Sequence, residues 1–84
     1  MNKNYLEIGH DIVERHMNEN IDIKKELEKA SEGMSKMDKV VFYSHINSLY
    51  LNVLVNRLDY VGEEGERKAL ESRLIIKNLI ENER

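Results

Sequence analysis

VVFYSHINSLYLNVLVNRLDYV, residues 40–61, is the densest apolar stretch of the chain, and its reading decides the fold. Its apolar residues recur at intervals of three and four, the period of an α-helix, and the β-branched alternation of a strand is absent. Wound as a helix it has one narrow polar stripe, His45, Ser48, Asn52, Asn56 and Asp59. Nearly everything else is apolar over about two thirds of the circumference, interrupted by Ser44, Asn47 and Arg57. One neighbour does not cover so wide an arc. The stretch is expected to be the spine of the fold, enclosed by the other helices of the chain, with part of its surface left for a second chain.

Working outward, Ser35 followed by Asp38 has the spacing of a capping box, with Asp in place of the usual Glu or Gln, and starts this third helix near Lys36. It is predicted over about 36–61, a rod of roughly 36 to 40 Å. The VGEEG connection forces an antiparallel return, and a fourth helix is predicted over about 64–83, with Glu63, Glu64 and Glu66 near the positive end of its dipole. Upstream, a first helix from about Asn4 to Asn18 gathers Tyr5, Leu6, Ile8, Ile12, Val13, His16 and Met17 into one arc. Glu7, His10, Asp11, Glu14 and Asn18 lie opposite. NENID breaks the pattern, and Asp22 caps a short helix reaching about Glu32, with Ile23, Leu27 and Ala30 in line and Gly33 as its left-handed end. The expectation is an all-α fold, a small four-helix bundle forming one domain over residues 1–84.

The totals narrow the class. A chain of 84 residues buries only about 60 % of the surface its unfolded form exposes, and chains of this size need staples or association. There is no cysteine, so neither disulfides nor thiolate metal sites are available. Net charge is −3 with basic and acidic residues interleaved; without a basic stripe, direct nucleic-acid binding is not expected. Residues 40–61 are long enough for a membrane span, but Asn47, Asn52, Asn56, Arg57 and Asp59 are each costly in lipid, so no membrane is expected either. Acidic residues occupy the amino terminus where an export signal carries an apolar core. The localisation read from these features is cytoplasmic.

Chemistry is sparse. Glu7 and His10 have the Glu-x-x-His spacing of bundle metal sites, with Glu14 on the same face, but a second helix with the motif is missing. A solvated charged face is the simpler reading, and a metal site built from Glu7, His10 and His16 the alternative. His16 falls within the apolar arc near Gly9, as a packed or interfacial residue with one hydrogen bond. Tyr43, Tyr50 and Tyr60 are core or interface residues whose hydroxyls reach the rim. No glycine-rich phosphate loop, paired nucleophile and base, or convergent carboxylates occur, so no enzyme, cofactor, metal or small-molecule substrate is expected.

What remains is surface. The main apolar face of the fourth helix is Ala69, Ile75, Ile76, Leu79 and Ile80, yet Leu70 and Leu74 lie well off it beside Arg73 and Lys77. A second apolar stripe needs its own cover. The expected partner-binding residues are Tyr43, Tyr50, Leu54, Leu70 and Leu74, with His45 and Asn52 fixing register. The expected function is that of a small non-enzymatic interaction protein, a homodimer or the partner of another protein, of the kind that phages and plasmids use as regulators or inhibitors.

The stretch EKASEGMSKMDKVVFYSHINSLYLNVLVNRL resembles the central part of the Hha/YmoA family, small helical proteins that bind the nucleoid protein H-NS. Glu28 and Lys29, Ser35, Phe42-Tyr43-Ser44, and Asn56 with Leu58 fall at the family's spacing, and the resemblance covers about residues 28–61. It implies a helical fold and, as the alternative function, modulation of gene expression through a DNA-bound partner. The chain departs from the pattern at Asn47, where the family is acidic, in a first helix without the family's arginines, and in its full fourth helix.

Overall fold

The computed structural model describes residues 5–56 and 58–83, without the side chains of residues 58–61. Four helices follow one another: α1 Tyr5–Asn18, α2 Ile23–Ala30, α3 Lys36–Asn56 and α4 Leu58–Asn82. The all-α bundle is therefore the fold. The expectations for Arg57, Asp59 and Tyr60 concern side chains outside those described.

The punctuation acts where the sequence places it. The Asp22 carboxylate accepts from the Lys25 N–H at 3.2 Å and starts α2, satisfying one of the donors a helix start leaves open. Gly33 takes φ 83° after α2, a conformation that costs other residues a steric clash. Ser35 Oγ accepts from the Asp38 N–H at 3.1 Å at the head of α3. The break between the two long rods falls where the VGEEG reading puts it. Residues 58–61 are helical, and the helical geometry is broken at Gly62, where φ is 65° and ψ −170°. One glycine makes the bend that the VGEEG reading spread over five residues.

α3 and α4 run antiparallel: the Lys39 ammonium lies 3.4 Å from the Glu83 carboxylate at one end, and Arg73 Nε donates to Asn47 Oδ1 at 3.2 Å further along. Their facing sides, with α1 and α2 packed on, enclose the core of Ile12, Val13, Leu27, Phe42, Ile46 and Ile76, among others. α1 approaches α3 closely at Gly9: a Cβ there would lie 2.5 Å from Ile46 Cδ1. Lys68 of α4 holds the far end of α1, its Nζ donating to the carbonyls of His16 at 3.0 Å and Glu19 at 3.2 Å, groups a helix C-terminus leaves unpaired. Arg15 ties α1 to α2 through Glu26 at 3.1 Å.

One apolar arc is corrected. Leu6, expected inside with Tyr5 and Ile8, is 61 % exposed. The face of α1 that the other helices cover is narrower than the expected apolar arc, and it leaves Leu6 outside.

Candidate interaction surface

The polar atoms buried in the core are structural in geometry. The Tyr43 hydroxyl donates to Ser31 Oγ at 2.8 Å, and the Ser31 hydroxyl in turn donates to the Glu28 carbonyl at 3.2 Å. Tyr50 bonds through its hydroxyl to His16 Nδ1 at 2.8 Å, the rings standing edge to face at 5.8 Å. Burial pushes the Tyr50 phenol up to about 12 against a smaller opposing effect of Ser72. Ser72 Oγ is close enough to act on the phenol, yet it makes no hydrogen bond of ordinary geometry. Burial lowers the His16 pKa, the Lys68 cation lowers it further, and Glu71 opposes both. A buried base so placed stays neutral, which suits it to pair with a phenol that keeps its proton.

These contacts correct part of the expected partner surface. Tyr43 and Tyr50 are 3 % and 0 % exposed, and their hydroxyls end on interior partners rather than at the rim. Neither can meet another chain. His45 and Leu54 are half-buried on the flanks of α3, Leu54 against the core. Asn52 is exposed and accepts from the Asn56 amide at 2.8 Å. Leu70 and Leu74, at 52 % and 62 % exposed, stand in solvent as their position off the main face of α4 predicts.

The larger open face was not read from the sequence. On α3, Met37, Val41, Leu51 and Val55 are exposed, with Ser44 and Ser48 exposed between them. α1 covers one flank of the helix, near His45 and Ile46, and α4 the other, near Asn47. Between them the outer side of α3 runs open along its length. Next to it, Asn47, Arg73, Leu74, Lys77, Ile80 and Glu81 line a shallow cleft of about 490 Å³ between α3 and α4. The polar stripe picked out on the wheel is offset from this face, sharing Ser48 and Asn52 with it.

Glu7, His10 and His16 do not come together. His10 is exposed and lies 3.8 Å from Glu14, while His16 is buried on the opposite side of α1. Among the described residues no three His, Asp or Glu side chains converge to hold a metal ion, and no helix is long and apolar enough to cross a membrane.

Comparison with protein-family models, with curated proteins and with solved structures returns no match. Several residues that carry the resemblance noted above have structural work in this fold: Ser35 caps α3, and Phe42 and Tyr43 are core.

Proposed function

We propose that this protein is a non-enzymatic interaction module that lays the open face of α3, with Leu70 and Leu74 of α4 beside it, against another protein. One observation carries the reading. From Val40 to Asn56 the sequence has no formally charged residue, although the outer side of that helix is exposed. Free protein surfaces carry roughly a quarter to a third charged residues, whereas the centres of contact surfaces are depleted in them. The inner side of α3 accounts for its own apolar residues by core packing; the core makes no demand on Met37, Val41, Leu51 and Val55.

A lipid surface fits less well. Helices that lie on membranes pair an apolar face with lysines and arginines along its edges, whereas α3 has none from Val40 to Asn56, and Arg73 and Lys77 beside Leu74 share their cleft with Glu81. A helical face of this size is the kind that docks on a partner's helix or groove, and a small protein that does so regulates or inhibits by occupying the partner's own contact surface. The test is photo-crosslinking in producing cells, with a benzophenone amino acid at Val41, Val55 or, as control, Glu14. Protein adducts are expected from the two α3 positions and not from the control. Adducts from none, or equally from all, refute the reading.

A further inference from the structure

The exposed line on α3 has an internal symmetry. Met37, Val41, Ser44, Ser48, Leu51 and Val55 are spaced by four, three, four, three and four residues, the repeat that forms a seam between two helices. Counted from either end the spacing is the same, and so is the chemistry: two apolar residues, two serines, two apolar residues. A line that reads alike in both directions is self-complementary about its centre, the condition a two-fold interface imposes on the surface that forms it.

We infer that the occupant of this face is a second copy of the chain, packed with α3 antiparallel to α3 about a two-fold axis level with Ile46. The inference rests on the docking role proposed above and names its partner. In this register Met37 faces Val55 of the second copy, Val41 faces Leu51, and Ser44 faces Ser48. Each apolar group meets an apolar group. The Ser48 hydroxyl already donates to the Ser44 carbonyl at 3.1 Å, so covering it strands no donor. On the edges Val40 comes opposite Leu54, and Asn47 and His45 each come beside their own copies near the axis.

α4 follows the same axis. The Arg73–Asn47 bond sets Leu74 about level with the middle of the α3 line, so the two-fold that pairs the α3 seams brings exposed Leu74 toward its own copy.

The area is adequate. α3 has 21 residues, about 30 Å of helix, and with the neighbouring face of α4 at about 10 Å spacing the patch is roughly 600 Å² in projection. Ridged side chains present more accessible area than projection, which approaches the roughly 800 Å² per partner of a stable interface. That is a small share of the 5836 Å² the chain exposes.

The experiment is a charge exchange read by light scattering over a dilution series from millimolar to sub-micromolar chain. The wild-type chain is expected to show a dimer mass that falls on dilution. Val41→Glu alone, or Leu51→Lys alone, places a charge against apolar groups in both halves of the seam and is expected to weaken dimerisation by about tenfold or more, the equivalent of 1.4 kcal/mol. The double variant sets each introduced carboxylate opposite an introduced ammonium and is expected to recover most of the loss. Both positions are exposed, and helicity and melting of the variants at low concentration confirm that the fold is kept. A double variant that stays monomeric overturns the antiparallel register, and single variants that stay dimeric overturn the seam. A wild-type chain that is monomeric throughout overturns the second copy. In that case crosslinked adducts heavier than two chains leave the docking role standing, and their absence removes it as well.

Discussion

Gly9 offers the sharpest test of how α1 is seated. A Cβ at this position would come within 2.5 Å of Ile46 Cδ1 and 3.4 Å of His45 Cδ2, against the 3.5–4.0 Å at which carbon atoms rest. Roughly 1 Å of space has to open. Ile46 Cδ1 is the far end of its side chain, but that side chain is fully buried and has nowhere to turn. Overpacking of this kind costs about 1–3 kcal/mol, and the better helix propensity of alanine returns about 0.8–1 kcal/mol. Gly9→Ala is therefore expected to lose about 1 kcal/mol net. The decisive partner is Ile46→Val, which removes the atom that is struck and by itself costs about 0.5–1.5 kcal/mol. In the double variant the collision is gone and the propensity gain remains. Urea unfolding of all four chains, followed by circular dichroism at one protein concentration, measures the cycle. The double variant is expected to be more stable than the sum of the single losses by about 2 kcal/mol. Losses that add within about 0.5 kcal/mol, the behaviour of independent sites, refute the close approach of α1 to α3.

Other expectations concern the buried polar groups. His16 is held below its ordinary pKa, so its neutral form stabilises the fold fully above about pH 6.5; that contribution shrinks as the pH falls, until the folded-state pKa is passed. His16→Gln is expected to remove this part of the slope of stability between about pH 7 and 5, seen as the difference between the two unfolding profiles. Lys68→Met deprives α1 of its carbonyl partners at about 1 kcal/mol, and by taking away a cation that lowers the His16 pKa it also flattens the same slope. Tyr43→Phe leaves the buried Ser31 hydroxyl without one partner and is expected to cost about 1–2 kcal/mol, with Ser31→Ala in the same chain recovering part of it. Ser72→Ala removes a buried hydroxyl that has no ordinary hydrogen bond and is expected to be neutral or to stabilise by up to about 1 kcal/mol. A clear loss in thermal unfolding shows instead that Ser72 supports the Tyr50 phenol.

Local features were the legible ones. Asp22, Gly33 and Ser35 act through backbone groups within a few residues of themselves, and each does what its position in the sequence announces. The core faces of α2 and α4 were equally readable, because the apolar residues of α2 fall on one side and those of α4 divide into one broad face and the separate pair Leu70 and Leu74. α3 was not. With apolar residues spread round most of the helix the directions nearly cancel, so the wheel shows that the helix is central but not which sector α1 and α4 leave open. That ambiguity put Tyr43 and Tyr50 on the partner surface and passed over Met37, Val41, Leu51 and Val55. The tyrosine partners were beyond reach for another reason. Tyr50 and His16 meet across 34 positions of chain, and only the packing of α1 on α3 brings them together.

α3 thus carries two sets of side chains with separate duties, and this can be measured. Phe42, Ile46 and Tyr50 hold the bundle from the inner side, while Val41, Leu51 and Val55 face away from it. Stability of the single chain draws on the first set and association on the second. If a folded chain binds its copy, apparent stability rises with concentration by RT ln(1 + [L]/Kd), about 2.7 kcal/mol when the concentration is a hundred times Kd. Melting temperature against chain concentration then has a floor set by the core and a rise set by the seam. Gly9→Ala is expected to lower the floor and leave the rise, whereas Leu51→Lys is expected to flatten the rise and leave the floor. If Leu51→Lys lowers the floor as far as Gly9→Ala does, the outer side of α3 contributes to the fold of the single chain, and the division of the helix into a holding face and a docking face fails.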